Sequence, residues 1–234
     1  ALCPMIRGND YNERFERLLD LTRRLADNPD ITLNESVYLS EKRTGNKNRA
    51  LAYMLKSQGM IADDVEDVLD CYFKACSISV DCRDLAKIGW VLASHGKPLK
   101  RLFPYEYARY VNAVLMTCGM YDGSGEFAVR VGVPAKSGVG GGIMAVVPTR
   151  MGIGIFSPAL DEKGNGYAQE QFLRQLMKQH YSVITVTFFI QCRSEVRRAG
   201  NECTARCIQL HQTGVFASQF FFIKEWLSNF LLCG

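Results

Sequence analysis

Apolar residues recur at steps of three and four through the first half of the chain. This spacing places them on one face of an α-helix. It predicts five helices: residues 10–27, residues 45–59, residues 62–76, a helix that begins at Asp81 and stops before Gly96, and a helix from Pro104 to Cys118. Because each helix has an apolar face to bury, the first half is expected to form a packed helical layer.

The pattern changes after about residue 130, where glycine-rich and β-prone segments follow one another. Residues 143–147 and 151–156 read as an antiparallel strand pair joined by a turn at Pro148, and residues 166–180 read as a helix. Residues 183–192 read as a further strand and residues 216–232 as a hydrophobic helix. Helices followed by hairpin strands and another helix predict an α+β fold rather than a doubly wound one.

Composition and charge narrow the possible partners. Twenty-eight Lys and Arg against 24 Asp and Glu leave a net charge of +4, too small and scattered to indicate nucleic-acid binding. No run of 18 apolar residues exists, so no membrane span is expected, and the N-terminus does not read as a secretory signal. Nine cysteines at irregular spacing favour a reduced, cytoplasmic protein over a disulfide framework.

The segment from Lys136 to Gly142 is rich in glycine but is not a phosphate-binding loop of the Walker type. That loop needs glycine where this chain has Arg130 and Ala135. A Lys-Ser-Gly sequence followed by exposed glycine N–H groups could instead form an oxyanion hole. The alternative is a flexible or bulged entry to a strand.

Two other spacings invite a chemical interpretation. Ser94 and Lys97 match the S-x-x-K pair of serine β-lactamase-like enzymes, but Gly96 and Pro98 interrupt the helix that this chemistry needs. We therefore expect both to be surface residues. A C-x3-C-x3-H spacing in the tail lacks a fourth ligand and the usual turns, so no metal is expected; its members are Cys203, Cys207 and His211.

Five motifs occur in order along the chain: SEKRTGNKNRA at 40–50, YFKACS at 72–77, CGMYDGSG at 118–125, GVPAKSGVGGG at 132–142 and SPALDEKGN at 157–165. Over about residues 8–181 they closely resemble the serine-dependent glutaminases, which belong to the β-lactamase/transpeptidase fold superfamily. The resemblance implies a helical layer on an antiparallel sheet. It also implies hydrolysis of the L-glutamine side-chain amide to glutamate and ammonia, without a cofactor or metal.

The resemblance assigns substrate-binding roles to three residues in the helical half. Glu41 would meet the α-ammonium group, because a charge-assisted bond distinguishes a free amino acid from a peptide. Asn48 and Tyr72 would hold the α-amino and α-carboxylate end by neutral hydrogen bonds. Tyr72 also lies on an apolar helix face, so it could equally be a core aromatic with a satisfied hydroxyl.

Four residues in the second half are assigned to the reacting amide. Tyr121 would contact substrate and transfer a proton at the nucleophile, with a nearby lysine lowering its pKa. Val139 would bind the substrate oxygen through its backbone N–H in an oxyanion hole. Lys136 and Ser137 resemble the Lys-Ser/Thr-Gly strand motif of the superfamily and would support the site electrostatically.

The chain also departs from the family pattern. The family's S-x-x-K nucleophile pair and an asparagine-rich segment lie upstream of the matched part, and this sequence has neither. We expect residues 1–181 to be a partial glutaminase domain, incomplete at its N-terminus, and residues 182–234 to be a non-family tail, as in a frameshifted fragment. The chain's own activity is then in doubt. The alternative function is a non-catalytic glutamine-binding or assembly module, and association into a homodimer or homotetramer is expected in either case.

Overall fold

The computed structural model describes residues 2–94, 102–157, 161–163, 165–179 and 188–191. The chain divides into two compact units, one with residues 2–80 of the described chain and the other with the described residues from Asp81 onward. No helix in these described ranges is long and apolar enough to cross a membrane. The five cysteines described are free thiols.

Four helices build the first unit: α1 Tyr11–Ala26, α2 Glu35–Thr44, α3 Asn46–Ser57 and α4 Val65–Cys76. Helix α4 is central, since α1, α2 and α3 each pack against it, and its Phe73 is fully buried. An isolated antiparallel bridge between Leu33 and Ile78 joins the segments before α2 and after α4. The predicted helices at 10–27, 45–59 and 62–76 are confirmed to within a few residues.

Helix α2 was not predicted, because it buries only one residue, Tyr38, and so shows no apolar stripe. The residues at its two ends are the part of its sequence that indicates a helix. The side chain of Asn34 accepts a hydrogen bond from the Val37 N–H at 3.1 Å, and basic residues Lys42 and Arg43 occupy the last turn. A capping residue at the start and cations at the end are typical of a helix.

The second unit combines four helices with a four-stranded sheet. Its elements are α5 Cys82–Ala93, α6 Tyr105–Cys118, α7 Ser124–Arg130, β1 Ala135–Ser137, β2 Gly142–Val147, β3 Met151–Phe156, α8 Tyr167–Gln179 and β4 Phe188–Gln191. The sheet order is β1-β2-β3-β4. The prediction of an antiparallel β2–β3 pair is confirmed, with Ala145 opposite Ile153. The α+β class is therefore confirmed.

Strand β4 pairs parallel to β3, a feature that the predicted antiparallel sheet did not include. The physical reason is the connection. A hairpin reverses the chain direction, whereas the helix α8 between β3 and β4 forms a crossover that returns the chain in the same direction. Of the predicted strand at 183–192, only Phe188–Gln191 is described, and the predicted helix at 216–232 lies outside the described residues.

Side chains of a strand alternate between the two faces of a sheet. Because β2 and β3 are buried along almost their whole length, both of their faces must be covered. Residues of one face of β2 and β3 form a buried cluster with α8: Ile143, Ala145, Ile153, Ile155, Leu173 and Leu176. On the other face α5 approaches the sheet backbone directly. A Cβ on Gly152 would lie 2.0 Å from the Trp90 nitrogen and 2.2 Å from the Ala86 oxygen.

Substituting Gly152 with alanine should lower the free energy of unfolding by about 3 kcal/mol, because α5 must move away from the sheet. Urea denaturation measures this change. Gly125→Ala in α7 is the matched control, since nothing lies within 4 Å of its added Cβ, and it should be neutral or slightly stabilising. Equal stability of the two variants would show that α5 does not pack as closely as described.

Candidate functional site

Two of the predicted head-group residues line the same cavity in the first unit. Asn48 on α3 and Tyr72 on α4 share a small cavity of about 50 Å³. The rest of its described lining is apolar except for the thiol of Cys3. Asn48 and Tyr72 thus supply the hydrogen-bonding side chains of a small and otherwise mainly apolar cavity.

The phenol of Tyr72 stays neutral near physiological pH. Burial raises its pKa, and a hydrogen bond with Cys76 and the negative charge of Glu41 raise it further. Only 7% of Tyr72 is exposed. Glu41 on α2 is thus within electrostatic reach of Tyr72. The three predicted head-group residues, Glu41, Asn48 and Tyr72, come from three helices of this one unit.

A charge network ties α2, which carries Glu41, to α4, which carries Tyr72. Asp70 accepts hydrogen bonds from the Tyr38 hydroxyl at 2.6 Å and from Lys42, and its other oxygen lies 2.8 Å from the Lys74 ammonium. Burial disfavours the Asp70 carboxylate, but these partners outweigh it and lower its pKa to about 2.

The Asp70 network should make stability depend on pH. The pKa of Asp70 is lower in the folded protein (about 2) than the ordinary aspartate value of 3.8, so its contribution is present above about pH 4 and is lost as the pH falls toward 2. The contribution should be on the order of 1 kcal/mol, because solvent screens the partly exposed network. Urea unfolding of wild type and Asp70→Asn tests this. The difference between them should shrink below about pH 4; a constant difference would contradict the pKa shift.

In the second unit, Tyr121 lies against Lys136. The Lys136 Nζ is 4.2 Å from the centre of the Tyr121 ring, and Lys136 is only 5% exposed. Its ammonium also donates a hydrogen bond to the Ser137 carbonyl at 2.6 Å. A buried cation over an aromatic face is an attractive arrangement. Lys136 thus contacts the face of the Tyr121 ring.

A close approach at the end of α6 brings Tyr121 to this lysine. Gly119 ends the helix, and a Cβ there would lie 1.8 Å from the Ala135 oxygen on β1. The Gly119 carbonyl accepts a hydrogen bond from the Ser137 N–H at 3.1 Å. Only glycine allows the helix end and the strand to meet at this distance, and the turn that carries Tyr121 follows directly.

Val139 occupies the turn that joins β1 to β2. The Gly138 N–H bonds to the Gly142 carbonyl and the Gly141 N–H to the Gly138 carbonyl, both at 2.8 Å. Within the described part of the chain the Val139 N–H donates no hydrogen bond, and the residue is 45% exposed. The segment is thus a hydrogen-bonded turn with Val139 at an exposed position.

Sequence reasoning missed two buried amides that support these elements. Asn165 accepts a hydrogen bond from the Ser137 hydroxyl at 2.6 Å, and the Gln169 amide donates to the Gly141 carbonyl at 2.7 Å. Asn165 is the last residue of the motif at 157–165, which was the available signal. Gln169 had none, because a single glutamine in a helix has no distinctive pattern.

Of the S-x-x-K and C-x3-C-x3-H spacings, the structure describes one residue, Ser94. The Ser94 hydroxyl donates to the Trp90 carbonyl at 2.7 Å, so it closes the end of α5. Its would-be partner Lys97 and the tail residues Cys203, Cys207 and His211 lie outside the described residues.

Comparison with solved structures defines the class of fold. A Bacillus glutaminase superposes with a TM-score of 0.71 at 36% identity, covering 76% of this chain and 62% of that one. A Bacillus subtilis glutaminase in covalent complex with 5-oxo-L-norleucine gives a TM-score of 0.72 at 36% identity, covering 76% of this chain and 64% of that one. The fold is that of the glutaminases and is β-lactamase-like, as the resemblance implied.

Sequence comparison gives the family. A glutaminase family model matches residues 1–184. Glutaminase 2 of Clostridium perfringens is 53% identical over 178 residues, 75% of this chain and 58% of that protein. A Clostridium botulinum glutaminase is 53% identical over 182 residues, 76% of this chain and 60% of that protein. The chain belongs to the glutaminase family, and its match spans about 60% of the length of these relatives.

Proposed function

We propose that the protein hydrolyses the side-chain amide of L-glutamine to L-glutamate and ammonia. Its relatives at 53% identity carry the name glutaminase, and a related structure holds a covalent product of the glutamine analogue 6-diazo-5-oxo-L-norleucine. The observation that carries the proposal is the contact of buried Lys136 with the Tyr121 ring, on the strand that leads into the turn of Val139.

Three residues are assigned to the amino-acid end of the substrate. We assign Glu41 to the α-ammonium group, because an ion pair with a hydrogen bond is the strongest contact available to it. Asn48 offers both a donor and an acceptor, and neutral Tyr72 offers a hydroxyl donor to the α-carboxylate. This set would select a free α-amino acid over a peptide.

Three further residues are assigned to the reaction at the amide. Water would attack the amide carbon, and Tyr121 would take a proton from that water and pass it to the amide nitrogen, which leaves as ammonia when the C–N bond breaks. The Lys136 ammonium would stabilise negative charge as it develops on the phenol oxygen. The Val139 N–H would donate to the amide oxygen, which becomes an oxyanion in the tetrahedral intermediate. None of these roles calls for a metal or an organic cofactor.

We also propose the wider setting of this activity. Residues 1–181 would form the glutaminase part of the chain, a boundary supported by the family match to 1–184, with residues 182–234 as a tail outside the family. Free thiols in all five described cysteines support a cytoplasmic location. Association into a homodimer or homotetramer is proposed from the family resemblance.

A substrate panel tests the proposal. The full chain is incubated with L-glutamine, N-acetyl-L-glutamine and L-asparagine, and ammonia release is measured beside binding by isothermal titration. Turnover of L-glutamine alone is expected, because the other two lack the free amino group or the correct length. Binding of L-glutamine without ammonia release would favour the non-catalytic glutamine-binding module instead.

A further inference from the structure

We propose that Asn165 is the positioning residue that holds Tyr121 against Lys136. This inference rests on the proposed function, since it concerns the residue that would transfer the proton. Asn165 does not itself contact a reacting group. It acts through the two elements that carry Tyr121 and Lys136.

Both ends of the Asn165 side-chain amide are used. Its Oδ1 accepts a hydrogen bond from the Ser137 hydroxyl at 2.6 Å, and its Nδ2 donates to the Met120 carbonyl at 3.1 Å. Asn165 is 3% exposed and Ser137 is 1% exposed, so water does not compete for these bonds. Ser137 follows Lys136 on β1, and Met120 precedes Tyr121. One amide therefore links the backbone neighbours of both residues.

Tyr121 needs such support because its backbone is strained. Its φ of 50° lies in the left-handed region, which a bulky side chain rarely adopts. Within the turn, the Ser124 hydroxyl donates to the Tyr121 carbonyl at 2.7 Å and accepts from the Met120 N–H at 3.0 Å. Strained conformations persist where surrounding bonds over-determine them, and they concentrate at functional sites.

Asn165 links the turn to β1, which the hydrogen bonds inside the turn do not do. The Met120 carbonyl accepts from the Gly123 N–H at 3.0 Å as well as from Asn165. The backbone bond between Gly119 and Ser137 fixes the residue before the turn to β1, and Asn165 adds a second link, from the Met120 carbonyl to the Ser137 side chain. Without it, the turn could keep its shape while the Tyr121 ring shifts relative to the Lys136 ammonium.

Hydrogen bonds within its own loop hold Asn165 in place. Asp161 Oδ1 accepts hydrogen bonds from the N–H of Asn165 at 2.7 Å and of Lys163 at 2.9 Å, and the Asp161 N–H donates to the Asn165 carbonyl at 2.6 Å. These bonds fix the backbone of Asn165 independently of its amide. A substitution of the side chain should therefore leave the loop in place.

The test replaces one amide group at a time in the full chain. Asn165→Asp keeps an acceptor for Ser137 but places an oxygen opposite the Met120 carbonyl. We expect a shifted Tyr121 ring resonance in ¹³C-tyrosine spectra and a different pH titration of that resonance. With L-glutamine, kcat should fall about 100-fold, as for a small misplacement of a reacting group, while KM changes less than about threefold.

Asn112→Asp is the matched control. Asn112 is also buried in the second unit, and its Nδ2 donates to a backbone carbonyl, that of Leu92 at 3.4 Å. It should lower stability without moving the Tyr121 resonance or its titration. Tyr121→Phe assigns the resonance among the ten tyrosines. If Asn165→Asp does not fold, Asn165→Ala removes the same donor without adding charge and should have the same effects.

The outcomes separate this inference from the proposed function. No turnover by the wild type would refute the proposed hydrolysis, while the tyrosine spectra would still decide the role of Asn165. An unchanged Tyr121 resonance and titration in the Asn165 variants would overturn the positioning role. So would equal effects of the Asn165 and Asn112 variants, since these would indicate a general loss of stability.

Discussion

Replacing Tyr121 with phenylalanine should lower kcat for L-glutamine hydrolysis by about 10²- to 10⁴-fold, the usual contribution of a positioned proton-transfer group. The change removes only the hydroxyl. The ring that packs against Lys136 and the strained turn are both retained, so stability should stay within about 1 kcal/mol of the wild type. Ammonia release at saturating L-glutamine, with stability measured in parallel, checks both parts.

Tyr110→Phe is the control for this experiment. Tyr110 lies on α6 in the same unit and is 70% exposed, so loss of its hydroxyl should affect neither kcat nor stability. A Tyr121→Phe protein with unchanged kcat would remove Tyr121 from the proton-transfer role. An increase in KM alone would assign the hydroxyl to substrate binding rather than to the chemical step.

Replacing Glu41 with glutamine should weaken the binding of L-glutamine about 10- to 100-fold, because a hydrogen bond to a charged group contributes about 1.5–3 kcal/mol. The variant keeps the size of the side chain and an acceptor oxygen, so the loss isolates the charge. Isothermal titration with L-glutamine measures it directly. Affinity for N-acetyl-L-glutamine, which has no ammonium group, should be unchanged.

Glu35→Gln provides the comparison on the same helix. Glu35 is exposed in the first turn of α2, away from the last turns that carry Glu41, and its substitution should leave affinity unaltered. If Glu41→Gln and the wild type bound L-glutamine equally, Glu41 would not contact the α-ammonium group. A parallel loss of N-acetyl-L-glutamine binding would indicate a general change in the cavity.

Most elements of the fold could be predicted from apolar periodicity, since α4 and α5 bury long stripes of side chains. The exceptions have physical reasons. Helix α2 buries only Tyr38, so it is specified by its ends rather than by a face. The parallel pairing of β4 depends on the crossover through α8, and local sequence patterns do not encode the partner of a strand.

For the candidate site, the ordered motifs identified the residues, but they could not predict how those residues are arranged in space. The contact of Lys136 with the Tyr121 ring depends on the approach of Gly119 to β1, which joins segments far apart in sequence. Asn165 was missed as a supporting residue for the same reason. Its two bonds reach residues 28 and 45 positions away, and its place at the end of the motif at 157–165 does not show which residues it contacts.

The most direct test of the account is the amount of ammonia and glutamate that the unmodified chain forms from L-glutamine. The account predicts equal amounts of the two products, at a rate well above that of the Tyr121→Phe variant measured under the same conditions. A folded wild-type chain that releases ammonia no faster than this variant would contradict the proposal that this member of the glutaminase family hydrolyses L-glutamine.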